Sequence, residues 1–348
     1  ASACSARSDS GMAAVAGAGL TSIILVAADS GPLLAESVAA ALASDAQIEV
    51  IVVDNASADG EPARVESLHA GDERLLVVRN DRNLGFGPAC NRGASLARGD
   101  ALVFLNPDCM IASGTIGALR RIAAENPGIG VLGIEIVSPD GKPPRGNRRR
   151  DPTLRRALMT ASGLAHFESR WPALAGVEMP ESAQQSGVEN VEAVSGACLF
   201  VPRRVFDVVR GFDEAYFLHV EDLDLCRRVR DAGYMVAIAH GVRAVHAQGA
   251  SSRHRPVFVA WHKHRGMWRY FTRFDPAARN IAVRAIVWAG IWMHFALTAP
   301  LRLARRLLVA DPQRSEGGAT RVSNPRAASA DASDPIRADR RPVDQKPR

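Results

Sequence analysis

The chain has 348 residues, of which 47% are hydrophobic. At about 150 residues per domain that is one large domain or roughly two, with ample apolar content for a packed core; a disordered or fibrous chain is excluded. Basic residues exceed acidic ones by only six, too thin an excess for a nucleic-acid-coating protein, so no nucleic-acid partner is expected and an anionic small molecule or membrane surface is the natural one. Cys4, Cys90, Cys109, Cys198 and Cys226 are scattered with no C-x-x-C pair, which argues against a disulfide scaffold or zinc site and predicts a reducing, cytoplasmic setting.

Residues 1–19 are rich in small residues, with Arg7 as the one basic flank. They lack the Leu/Val-rich stretch of a secretion signal and are expected to form a disordered leader. From Leu20 to Val137, continuous apolar runs at Ser22–Ala27, Ile48–Val53, Leu75–Val78, Ala101–Leu105 and Gly130–Val137 alternate with helix-like stretches at Pro32–Ala43, Glu61–Ala70, Pro88–Ala97 and Ser113–Glu125. Runs of that kind suit strands buried on both faces of a parallel sheet, joined by crossover helices. The period breaks over 138–190, where Pro, Gly and Arg cluster. It returns at Val191–Val201, a helix-like Val220–Asp231 and an apolar Tyr234–Ala239, with His246 at the end of another short strand. The expected catalytic region is 20–275, followed by an apolar and basic helical segment, 276–310. Residues 311–348 are too poor in large apolar side chains to order and read as a tail.

A parallel sheet binds ligands beyond the C-terminal ends of its strands, and three such ends are unusually polar. The second strand runs into Asp54-Asn55-Ala56-Ser57-Ala58-Asp59-Gly60, the third into Asn80-Asp81-Arg82-Asn83-Leu84-Gly85, and the fourth into Asn106-Pro107-Asp108. Any one could be a plain turn or N-cap; three along one edge suggest a site. No G-x-G-x-x-G follows the first strand, which ends in Ala27-Ala28-Asp29-Ser30, and no Walker A motif is present, so a nicotinamide enzyme or P-loop NTPase is not expected. Glu221, Asp222 and Asp224 stand at a loop-to-helix junction, where the helix dipole stabilises carboxylates and also keeps one ionised, as a general base requires.

Taken together, Val53-Asp54-Asn55-x-Ser57, Asn83-Leu84-Gly85-Phe86, Asn106-Pro107-Asp108, Ser195-Gly196-Ala197-Cys198-Leu199 and Glu221-Asp222-x-Asp224-Leu225-Cys226-x-Arg228 resemble a family 2 glycosyltransferase of the rhamnosyltransferase-like branch. The resemblance spans roughly Leu20 to Asp275. It implies an α/β GT-A fold, a Rossmann-like, mostly parallel sheet flanked by helices, and an inverting transfer from a nucleotide-sugar donor. On that resemblance, Asp54, Asn55, Ser57, Asn83 and Gly85, with Arg253 and Arg255, would contact the donor nucleotide. Asp108, Asn106 and His246 would hold Mg²⁺ or Mn²⁺, although the D-x-D position has Asn where the family has its first Asp. Asp222, with Glu221 as runner-up, would be the catalytic base, while Asp224 is expected to cap the helix or pair with Arg227 or Arg228.

Ser195 and Gly196, with Arg145 and Arg148 from the arginine-rich 142–156 stretch, are candidates for the acceptor side, a glycan or lipid-linked glycan; a solvated charged loop is the competing reading of those arginines. The apolar Ile281–Ala299 carries Arg284 and His294 and is followed by Arg302, Arg305 and Arg306. That pattern suits a helix lying in the interface of an anionic membrane, placing the protein peripherally on its inner face; a core helix or a true span are the rivals. A non-catalytic sugar-nucleotide or glycan-binding protein of the same fold is the rival function, and a nucleotidyltransferase is disfavoured by the missing phosphate loop.

Overall fold

The computed structural model describes residues 19–44, 46–141, 146–180, 186–247 and 255–308. Residues 1–18 of the leader, the whole 311–348 tail, Arg145 and Arg253 lie outside these. In chain order, β1 (Thr21–Ala27), α1 (Leu33–Leu42), β2 (Ile48–Asp54), α2 (Glu61–Leu68), β3 (Leu75–Arg79), α3 (Phe86–Leu96) and β4 (Ala101–Leu105) make the expected β/α array. Strands β5 (Cys109–Ile111), β6 (Ile129–Val137), β7 (Arg148–Arg149), β8 (Gly187–Asn190), β9 (Ala193–Val194), β10 (Cys198–Pro202) and β11 (Met235–His246) follow. Between and after them come α4 (Thr115–Glu125), α5 (Leu154–Ala161), α6 (Arg203–Val208), α7 (Glu221–Asp231), α8 (Pro256–Phe274) and α9 (Ile281–Leu308).

The main sheet has the order β3-β2-β1-β4-β10-β6-β11-β5, with β8 on β11; β7 and β9 form a separate pair. Strands β3, β2, β1 and β4 are mutually parallel, and all seven residues of β1 and of β2 are buried. That two-sided burial is the reason these strands read as unbroken Val/Ile/Leu runs. One face is covered by α1, α2 and α4 through Leu34, Val65 and Ile116, the other by α3, α6 and α7 through Ala94, Phe206 and Leu225. Phe104 on the second face meets Phe212 edge-on, with ring centroids 4.9 Å apart.

Strand β10 is inserted antiparallel between β4 and β6, with Cys198 opposite Leu105. Its approach segment, Ser195-Gly196-Ala197, therefore arrives at the edge where β4 ends, and Asn106 N–H donates to the Ala197 carbonyl at 2.9 Å. Two expectations need correction. His246 does not end a separate short strand but the twelve-residue β11, whose register slips between Ala239 and Arg243 around Gly241 at φ +81°. A bulge interrupts the apolar run without ending the strand. The 138–190 stretch, expected to be irregular, carries β7, α5 and β8, elements too short to leave a readable period.

Candidate active site

The first group of candidate residues is built around two facing turns. Asp54 ends β2 and accepts from Ser57 N–H at 2.8 Å. Ser57 Oγ accepts from Asp29 N–H at 3.3 Å, Asp29 accepts from Ala58 N–H at 2.8 Å, and Asp59 accepts from Gly31 N–H at 2.9 Å. Asp29 and Ala56 hold positive φ angles of 53° and 61°, a conformation that persists only where surrounding contacts enforce it. The turn after β1 and the turn after β2 thus form one stitched rim, with Asp54 buried beneath it.

Of the two asparagines expected to contact the donor, Asn55 is buried and spends its amide within the protein, whereas Asn83 is exposed and uses its Oδ1 to accept from Asn55 and from Gly85 N–H. Asn55 donates to Asn83 Oδ1 at 2.9 Å and to the Gly85 carbonyl at 3.1 Å, and accepts from Asn80 Nδ2 and Leu84 N–H, each at 2.9 Å. That fills the hydrogen-bonding capacity of its amide. Gly85 meets a steric requirement of its own. It stands at φ +95°, and a Cβ there would meet the Phe217 carbonyl oxygen at 2.6 Å. This close approach lets Phe86 N–H donate to Phe217 O at 2.8 Å, tying the start of α3 to the loop before α7.

The candidate metal residues converge from three places in the chain. Because β11 pairs antiparallel with β5, His246 sits opposite Cys109, and its Nε2 lies 2.9 Å from Asp108 Oδ1 and 3.4 Å from the Asn106 amide nitrogen. Among the described residues no group of three His, Cys, Asp or Glu is placed to bind a metal. The set at hand is one carboxylate, one imidazole and one amide. Neighbouring ligands of an octahedral ion at about 2.1 Å stand roughly 3 Å apart, which the Asp108–His246 spacing matches. A mixed N/O set of this size fits a divalent cation that draws its remaining ligands from a diphosphate or water.

The candidate base is positioned by strain. His219 and Val220 adopt φ angles of 65° and 74° immediately before α7, so Glu221 and Asp222 open the helix from a left-handed turn. Asp222 accepts from Gly196 N–H at 3.1 Å and pairs with the Arg149 guanidinium, which also donates to the Val194 carbonyl at 2.9 Å. Burial works to raise the Asp222 pKa, but the Arg149 charge and its hydrogen bond prevail and hold the carboxyl below the ordinary range. Glu221 is driven the opposite way by its burial and by the Asp222 charge, and its buried Oε2 has no hydrogen-bond partner among the described residues. Burial, with Lys263 nearby, pushes His219 down to about 4, leaving a neutral imidazole beside the pair. The environments of Glu221 and Asp222 thus separate two adjacent carboxyls into a proton-holding and an ionised one. Asp224, in turn, is fully buried and pairs with Arg228 at 2.6 Å and Arg273 at 3.0 Å, a structural role.

Of the acceptor candidates, Ser195 and Gly196 adjoin Asp222, and Gly196 leaves only 3.2 Å between a would-be Cβ and the Asp222 side chain. Arg148 is a correction. Only 9% exposed, its guanidinium is spent on Glu189 at 2.8 Å, so it faces the protein rather than an acceptor. Arg255 opens α8 and is exposed. Three residues were not foreseen. Arg149 was read only as one of an arginine cluster, and a pair separated by 73 positions leaves no local trace. Asp151 accepts from Arg227 at 3.0 Å, Arg230 at 2.5 Å and Tyr270 at 3.0 Å, fixing the strand that carries Arg149 to α7 and α8. Gly266 of α8 lies under the strained turn, where a Cβ would come within 3.2 Å of His219 O and Val220 Cβ. A cavity of about 340 Å³ lined by Arg150, Met179, Asn190, Val191, Glu192 and Arg230 contains none of the candidate catalytic or metal residues.

Residues 22–175 match the family described as Glycosyl transferase family 2. The chain is 30% identical over 307 residues, 82% of this chain and 95% of the relative, to N-acetylglucosaminyl-diphospho-decaprenol L-rhamnosyltransferase of Mycobacterium tuberculosis strain ATCC 25618 / H37Rv. It is 26% identical over 207 residues, 59% of this chain and 15% of the relative, to O-antigen biosynthesis protein RfbC of Myxococcus xanthus. Among solved structures, the mannosyltransferase PcManGT from Pyrobaculum calidifontis, in complex with GDP-Man and Mn²⁺, superposes with a TM-score of 0.50 at 18% identity, covering 85% of this chain and 77% of that one. GalNAc-T7 with UDP, GalNAc and Mn²⁺ gives a TM-score of 0.51 at 13% identity, covering 80% and 55%. At these identities the structural likeness speaks to the fold.

Proposed function

The chain belongs to glycosyl transferase family 2 and is a glycosyltransferase, and from that premise we propose that it transfers L-rhamnose from a dTDP- or UDP-linked donor to a lipid-linked glycan of the cell envelope, with inversion. The sugar and acceptor class follow the name of the rhamnosyltransferase relative, which shares the sequence over nearly its whole length. The reaction would take place at the inner face of the membrane, where a polyprenyl-linked acceptor presents its sugar.

One observation carries the reading: Asp222 is kept ionised by Arg149 and by the Gly196 N–H. An acceptor hydroxyl seated against Gly196 gives its proton to the Asp222 carboxylate as its oxygen forms the new bond to the anomeric carbon. The bond from that carbon to the donor diphosphate breaks on the opposite face, and the electron pair leaves with the diphosphate. A single displacement inverts the centre and needs no sugar–enzyme bond. The rim of Asp54, Ser57 and Asp29 lies where a nucleoside would be seated beyond the sheet edge. A divalent cation, Mg²⁺ or Mn²⁺, held by Asp108, His246 and Asn106 would neutralise charge on the leaving diphosphate.

The test is transfer by purified full-length protein from dTDP-L-rhamnose and a panel of other nucleotide sugars to a short-chain polyprenyl-diphospho-N-acetylglucosamine. Asp222→Asn is expected to lower transfer by about 10²–10⁴-fold with donor affinity retained. No turnover with any donor, or unchanged turnover in Asp222→Asn, would refute the assignment.

A further inference from the structure

Helix α9 contains a 21-residue apolar window, Ile281–Leu301, with mean hydropathy 1.5, none of it buried. Ile286, Met293 and Leu297 are 72%, 63% and 66% exposed. A core helix is therefore excluded, and the segment is also long enough to cross a bilayer by length alone. Its contacts decide between spanning and lying flat. The half-buried positions Val283, Val287, Ile291 and Phe295 recur every four residues, the spacing of one helix face. Toward its far half the helix meets α8: Trp292 contacts Trp261 with centroids 4.6 Å apart, and His294 Nδ1 lies 2.9 Å from His264 Nε2. Helix α8 is in turn bolted to the catalytic region by Tyr270 to Asp151 at 3.0 Å and by Arg269 to Asp213 at 2.7 Å.

A spanning α9 would put this contact within the hydrocarbon, and with it Lys263 and Arg265, which flank His264 on α8. Charges at that depth are costly. Lying flat costs nothing of the kind. Between residues 276 and 310 the sequence has five arginines and no acidic residue, and α8 itself adds Lys263, Arg265, Arg269 and Arg273 without a single carboxylate. We propose that the α8–α9 hairpin is an in-plane seat on an anionic phospholipid surface, with the Ile286–Met293–Leu297 side of α9 sunk into the acyl boundary and Arg284 at the headgroups. The proposal deepens the reading of a lipid-linked acceptor by fixing how the site would meet the membrane. A helix held parallel to the surface carries α8, the His219–Val220 turn and Asp222 at a constant height above it.

Flotation of the full chain with vesicles tests this without donor or acceptor, so its failure leaves the transfer reaction untouched. Binding to mixed phosphatidylglycerol and phosphatidylcholine vesicles is expected, with little binding to pure phosphatidylcholine. The triple variant Ile286→Glu, Met293→Glu, Leu297→Glu should reduce partitioning by about tenfold or more while keeping the wild-type circular dichroism and thermal unfolding. Membranes from expressing cells should release the protein into alkaline carbonate. Resistance to carbonate, equal binding to neutral vesicles, undiminished binding of the triple variant, or self-association through α9 with no vesicle binding would each overturn it.

Discussion

Replacing Arg149 by Gln removes the charge that holds Asp222 ionised and leaves nearly everything else in place. Two unit charges about 4 Å apart attract by roughly 4 kcal/mol at an effective dielectric of about 20, and removing one partner of a buried pair costs about 3–5 kcal/mol. Arg149 and Asp222 are 20% and 13% exposed, so the lower end applies, about 3 kcal/mol, or a fall in Tm of roughly 6–12 °C at about 2–4 °C per kcal/mol. The pH dependence carries the more specific signature. The folded-state pKa of Asp222 is depressed, so the pair's contribution is present above the ordinary aspartate range and is lost as pH falls through the folded value. Without Arg149, burial is countered only by the weaker hydrogen bonds from the Leu223 and Gly196 N–H groups and the small His219 contribution, and the acidic limb of kcat/KM should move to higher pH. Arg149→Lys keeps the charge and should restore most of that limb. Thermal unfolding and transfer assays across pH read both effects. Loss of less than about 1 kcal/mol, the range of a surface pair, together with an unmoved acidic limb in Arg149→Gln, would refute the reasoning.

Glu221→Gln should remove a buried group whose ionisation opposes folding: its pKa is raised, so native stability should fall as pH rises above the glutamate range in the wild type and stay flatter in the variant, as followed by denaturant unfolding across pH. Gly85→Ala forces a Cβ to within 2.6 Å of the Phe217 carbonyl at φ +95°, which should cost about 2–3 kcal/mol in urea unfolding while the donor spectrum of any residual activity stays the same. Gly266→Val crowds His219 O and Val220 and should lower kcat more than donor KM, since the displaced turn carries Asp222; an equal change in both would assign Gly266 to general packing. His246→Ala should raise the Mn²⁺ concentration needed for half-maximal transfer by about 10–100-fold, measured by metal titration after EDTA treatment, with Asp108→Asn behaving alike.

Local chemistry made much of this protein readable along the chain. The strands β1, β2 and β4 are buried on both faces, so their sequences are unbroken apolar runs, and the polar residues that follow them had to fall on one sheet edge. Asp222 was marked by its neighbours, since a carboxylate cluster opening a helix is a local pattern. Asn55 and Gly85 show the limit of such patterns: both are motif residues, but one is saturated by Asn80, Asn83, Leu84 and Gly85, and the other makes room for Phe217. An amide that binds a ligand and one that knits two loops look the same in sequence.

What the sequence determined by itself is therefore the sheet, its loaded edge and the identity of the carboxylates, because burial and helix-start preferences act over a few residues. Only the tertiary structure decided the state of those carboxylates. Arg149 meets Asp222 across 73 residues, His246 meets Asp108 across 138, and His294 meets His264 across two helices. The charge on the candidate base, the makeup of the candidate metal site and the exposure of α9 all depend on which distant groups share a small volume, and no local pattern encodes that.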